Sequence, residues 1–130
     1  VGNISLLETE STGYATKAKY FKIPEYMGKH PIPEIFKGNL DLLYFNLDKI
    51  RDKWGSALVI ATGYDATPYT DLNTSSCYQR CLCVRLYPKV GTTILLNQLI
   101  LQMRDNKQIS NCTINHEVNK YIYISFTKPD

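Results

Sequence analysis

Leu40, Leu43, Tyr44, Leu47, Ile50 and Trp54 recur at i, i+3, i+4, i+7, i+10 and i+14. That spacing lines one face of a helix with 3.6 residues per turn. Asp41, Asp48, Lys49, Asp52 and Lys53 are assigned to the opposite, solvated face. Pro33 stands where a first helical turn tolerates it, and Gly55 closes the helix in the C′ manner. Directly beyond, Leu58-Val59-Ile60-Ala61 forms a short apolar run closed by the turn signal Gly63, the pattern of a buried strand. A helix with one apolar face, feeding at once into a buried strand, requires a second layer to cover both.

The remaining elements follow the same logic. Pro24, Pro31 and Pro33 forbid a long helix early in the chain, leaving room for a helical turn at Glu25–Met27. Cys81 to Tyr87 alternates and is rich in β-formers, a second strand ended by Pro88. Leu95, Leu96, Leu99, Ile100 and Met103 mark a second amphipathic helix over Thr92–Asn106. Ile109–Asn115 and Lys120–Thr127 read as two strands joined by a turn near Glu117-Val118-Asn119, while residues 65–76 read as a long loop. The expected class is α+β: a small, mainly antiparallel four-stranded sheet with two main helices packed on it. Residues 1–19 are polar with little periodicity and are expected to form an arm, extended along a surface or docked on a neighbour. Residues 20–130 then make one domain.

Composition bounds the function. At 130 residues the chain suits a single domain and needs no disulfide or metal staple. Its apolar runs are only a few residues, which excludes a transmembrane helix. A net charge of +3 is too mild to argue for nucleic acid. The chain begins at Val1, and no targeting segment can be read there. Sequons at Asn3, Asn73 and Asn111 matter only in a glycosylating compartment. Tyr is the outlier, at 10 residues against 4 Phe and 1 Trp. Its ring is apolar and its tip polar, which suits half-buried sheet faces and contact surfaces. Tyr64, Tyr69, Tyr78, Tyr87, Tyr121 and Tyr123 divide between those two uses.

Cys77, Cys81 and Cys83 crowd into seven residues, with Cys112 alone downstream. Cys81 and Cys83, two apart on a predicted strand, would point to one face. With Cys77 from the loop, and Cys112 or His116 from the neighbouring strand, they offer a tetrahedral zinc site. The spacing is not that of the usual two-residue-gap knuckle. The simpler reading makes Cys81 and Cys83 small buried apolar residues, with a Cys77–Cys112 or Cys81–Cys112 disulfide also open. His30 and His116 read as solvated loop histidines.

Tyr20-Phe21, the Pro31/Pro33 segment, Arg51 to Gly55, and Thr62-Gly63-Tyr64-Asp65 occur in an order that resembles a known family. It is the zinc D-Ala-D-Ala carboxypeptidase-like peptidases, which share a fold with the hedgehog signalling domain. The resemblance covers about residues 19–127 and implies that fold. In the family a Ser-x-His-x-x-Gly-x-Ala-x-Asp motif and a later His-x-Asp supply three zinc ligands, leaving a fourth position for an activated water. The matching stretch here is Ser76-x-Tyr78-x-x-Cys81-x-Cys83-x-Arg85, and Tyr123 falls at the third ligand. Asp65 replaces the family's carboxylate-binding Arg.

A permanently protonated guanidinium cannot ligate a cation, and tyrosine hydroxyls ionise only near pH 10. The resemblance therefore implies a fold that has lost its zinc: no catalytic residue, no cofactor. Tyr64, Asp65, Ser76, Tyr78, Arg85 and Tyr123 become a degenerate cleft. Such domains are frequent in phage genomes, so the implied role is a structural or interaction protein of a virion or extracellular assembly. Its partners would be copies of itself or other subunits, reached through residues 1–19. The alternatives are a module binding cell-wall peptide or glycan, and a hydrolase with cysteine ligands.

Overall fold

The computed structural model describes residues 13–29, 31–64, 77, 78 and 80–126. A 3-10 turn at Ala15–Lys17 precedes helix α1 (Ile23–Met27), and a second at Glu34–Phe36 runs into α2 (Lys37–Trp54). Strands β1 (Leu58–Thr62) and β2 (Cys83–Pro88) follow, then α3 (Thr93–Asp105), β3 (Thr113–Glu117) and β4 (Tyr121–Ser125). The strands form one antiparallel sheet in the order β1-β2-β4-β3. The α+β architecture expected from periodicity is the one observed. No described helix is long and apolar enough to cross a membrane.

The helix ends obey local chemistry. Gly55 takes φ 83°, the left-handed C-cap that glycine reaches without strain, and donates its N–H to the Arg51 carbonyl. Thr92 caps α3 by accepting the Leu95 amide on its side chain. Between the helices and the sheet, Leu40, Leu43, Tyr44, Leu47 and Ile50 of α2 are fully buried, with Leu96 and Ile100 of α3. Val84, Leu86, Ile122 and Ile124 meet them from the sheet. Each such side chain contributes about 1.5–3 kcal/mol relative to exposure.

Several expectations need correction. Trp54 is only partly buried, because it lies at the last turn of α2 and packs beside Gly91 instead of under the sheet. Leu95 faces solvent at 56 % exposure, one position off the buried stripe of α3. Asp48, assigned to the solvated face of α2, is buried. It accepts hydrogen bonds from the Tyr14 hydroxyl (2.8 Å) and from the amides of Lys19 (2.8 Å) and Tyr20 (3.2 Å). Asp41 likewise accepts the Ala15 amide at 2.7 Å. Residues 13–19 are therefore docked on α2 of their own chain, with Ala15 and Ala18 in the core. Residues 1–12 of the expected arm lie outside the described residues.

The second strand begins at Cys83 and includes Pro88, which pairs with Leu58. Cys81 precedes the strand with φ 59°. The third strand starts at Thr113, later than the Ile109 expected, because Ile109 and Cys112 are buried in the connection after α3. His116 lies within β3, its Nε2 2.9 Å from the Thr93 hydroxyl, so it is not a solvated loop histidine.

Candidate functional site

Strand alternation gives the sheet a second face, turned away from the core. On it the register sets Thr62, Arg85, Tyr123 and Asn115 in one row across all four strands. Beside that row, Glu117 pairs with Tyr121. Ala61 is the extra residue of a bulge in β1, and this bulge brings Thr62 level with Arg85. The edge of β1 is anchored nearby. Tyr64 donates its amide to the Tyr26 carbonyl at 2.7 Å, and a Cβ at Gly63 would collide with that same backbone, so only glycine fits.

Residues 77 and 78 bring a further side chain onto this face. Cys77 is disulfide-bonded to Cys83 at the start of β2, and its sulfur lies 3.2 Å from the Tyr123 hydroxyl. The Tyr78 ring then meets the Tyr123 ring edge-on, centroids 6.2 Å apart. Arg85 lies within cation–π reach of two rings, its guanidinium carbon 5.9 Å from Tyr78 and 5.4 Å from Tyr121. Its charged neighbour among the described residues is Glu117, at 3.8 Å, an ion pair without hydrogen-bond contact. Burial pushes the Tyr78 hydroxyl upward, against the opposing pull of Arg85.

Tyr78, Arg85 and Tyr123, predicted as one degenerate cleft, do come together. Tyr64 lies at the cluster's margin, near Tyr26. Asp65, Ser76, Tyr69 and His30 lie outside the described residues. The cysteines do not converge as a metal site would require. Cys77 and Cys83 are joined, which replaces both expected disulfides, and Cys81 and Cys112 are free and buried. The Arg80 and Leu82 amides both donate to the Cys77 carbonyl, a turn that carries Cys77 back to the start of β2, whereas the expected strand already began at Cys81. Burial raises the Cys81 thiol to about 12 and the Cys112 thiol to about 11, so both stay protonated and poorly nucleophilic. Among the described residues no three His, Cys, Asp or Glu side chains are grouped to hold a metal ion. Zinc does not fit Tyr78, Arg85 and Tyr123 either, since Arg85 is a fixed cation and burial moves the Tyr78 hydroxyl further from ionising.

Glu117, Thr62 and Asn115 were missed as site residues. Thr62 enters only within Thr62-Gly63-Tyr64-Asp65 and the other two in no motif, so only the pairing register shows that all three share a face with Arg85. The cluster offers aromatic rings, hydroxyl groups, one guanidinium and the Glu117 carboxylate. Such groups can meet an aromatic, polar or anionic surface. Comparison with known proteins supplies no precedent: no family model, curated protein or solved structure matches the chain.

Proposed function

We propose that this chain is a non-catalytic interaction domain on a degenerate carboxypeptidase-like fold, a structural subunit of a virion or other extracellular assembly. The observation that carries the reading is the meeting of Tyr78, Arg85 and Tyr123 on one sheet face. These are the positions the resemblance assigns to zinc ligands, Tyr123 lies far along the chain from the other two, and none is a zinc ligand at neutral pH. Cys81 adds support. It occupies the position of the family's glycine and takes φ 59°, a conformation glycine adopts freely. Gly63, which the resemblance also aligns, is required by its close approach to Tyr26.

The Cys77–Cys83 disulfide favours an oxidising location, in keeping with an extracellular particle. It also removes two thiols from the cysteine-ligated hydrolase. The role of residues 1–12 as a connector to neighbouring subunits belongs to the same proposal.

The test is light scattering with elemental analysis on the full purified chain and on a form lacking residues 1–12. The expected result is an assembled full chain, a folded monomer after truncation, and far less than one zinc per chain. A full chain that stays monomeric at high concentration refutes the assembly role. Stoichiometric zinc lost on Arg85→Ala refutes the loss of the metal site.

A further inference from the structure

The geometry points to an acidic saccharide as the ligand of the tyrosine–arginine face, its carboxylate taken by Arg85 in exchange for Glu117. The inference rests on the reading of this face as a contact surface, and is independent of the assembly role. Arg85 carries five N–H donors in a planar fork that suits a carboxylate with two parallel hydrogen bonds. Among the described residues it makes no hydrogen bond to another side chain, and its Nε is buried without a partner. Glu117 stands 3.8 Å away with both side chains more than a third exposed, so it neutralises the charge without filling the fork. A ligand carboxylate can take the same place at hydrogen-bond distance. The net charge of the cluster is unchanged by the exchange once Glu117 swings into water.

The surroundings favour a sugar over a simple anion. Tyr121 and Tyr123 are partly exposed on the same face as Arg85, and Tyr78 stands against Tyr123. The guanidinium lies over the Tyr78 and Tyr121 rings, so a pyranose would lay its C–H face on the ring surface that Arg85 leaves open while its carboxylate meets the fork. The row through Arg85 is flanked by the Thr62 hydroxyl, the Tyr123 hydroxyl and the exposed Asn115 amide, which can both donate to and accept from sugar hydroxyls. A purely apolar partner would leave these groups unpaired. A phosphate alone would use the arginine and ignore the rings.

Calorimetry with two tetrasaccharides tests this. The hyaluronan tetrasaccharide alternates glucuronate with N-acetylglucosamine, and chitotetraose is its neutral counterpart. The full chain is expected to bind the first about tenfold more tightly, the scale of one charge-assisted bidentate contact, with the difference shrinking as salt is raised. Arg85→Gln should abolish the preference, and Arg85→Lys should restore only part of it. Glu117→Gln, which removes the competing carboxylate, should tighten hyaluronan binding severalfold. Equal binding of the two sugars overturns the inference, as does an unaltered preference in folded Arg85→Gln. An acetylated tripeptide with a free C-terminal carboxylate that outcompetes the tetrasaccharide overturns the saccharide assignment. Any of these failures would leave the scattering and zinc results standing, so the two readings fail separately.

Discussion

Asp48→Ala should undo the docking of the chain's first described residues. The Asp48 carboxylate is buried and accepts three hydrogen bonds, from the Tyr14 hydroxyl and the Lys19 and Tyr20 amides. A hydrogen bond to a charged acceptor contributes about 1.5–3 kcal/mol, so a simple sum overstates the effect. Lys19 is exposed and Tyr20 half-exposed, so water re-satisfies their amides once the carboxylate is gone. The discounted loss is about 3 kcal/mol, or roughly 10 °C in Tm for a chain of this size. Asp48→Asn keeps one acceptor oxygen but turns an N–H toward a donor, and should cost about half as much. Urea unfolding with linear extrapolation measures both, and an unchanged slope confirms that only stability moved. Hydrogen exchange locates the effect: the Lys19 and Tyr20 amides should lose protection while those in the centre of α2 keep theirs. A loss below about 1 kcal/mol for the alanine variant would refute the reasoning. So would continued protection of both amides.

Alkaline pH should weaken the same contact. The Tyr14 hydroxyl is raised to about 12, chiefly by burial and then by its bond to Asp48, so the folded state favours the neutral phenol. Its stabilisation is complete below pH 10 and is lost as pH rises from 10 toward 12. Tyr14→Phe should flatten that part of a stability–pH curve, and an unchanged curve would count against it. Iodoacetamide at pH 8 should leave the native chain nearly unlabelled, since Cys81 and Cys112 are buried with raised thiols and the other pair is bonded. Mass spectrometry should then find two labels after unfolding and four after unfolding with reduction; rapid native labelling would contradict the burial. Gly63→Ala should cost about 1–3 kcal/mol, because the new Cβ meets the Tyr26 backbone and not a flexible side-chain end. A neutral result by thermal melting would show that the β1 edge shifts freely.

The parts legible in the sequence were those governed by local rules. Helix α2 starts at Lys37, because Glu34–Phe36 after Pro33 is a 3-10 turn. The period of Leu40, Leu43, Leu47 and Ile50 and the stop at Gly55 place its body and end. The same holds for Thr92 and the apolar stripe of α3. What was not legible depended on tertiary partners. Asp48 falls on the polar side of a helical wheel, and nothing local shows that the chain's own residues 14–20 return to cover it. The Cys77–Cys83 pairing depends on a turn from Cys77 to Leu82, whose last two residues alternation reads as strand. At the candidate site, the resemblance brought out Tyr78, Arg85 and Tyr123. Glu117 and Asn115 became visible only when strand order and register were known.

The strand order β1-β2-β4-β3 also has a kinetic meaning. The β3–β4 hairpin is closed by residues 118–120, with the Lys120 amide bonded to the Glu117 carbonyl, so it forms at small entropic cost. The β1–β2 pair must close about twenty residues, which costs roughly 1.5–2 kcal/mol more. The hairpin is therefore the natural nucleus, β2 docks on it next, and β1 arrives last. Conservative truncations in the hairpin, such as Ile124→Val, should slow refolding, whereas Ile60→Val in β1 should mainly speed unfolding. The bulged outer strand would then be the first to leave, and the residues that reach the surface through it, Gly63 and Tyr64 among them, would be the first to sample open states.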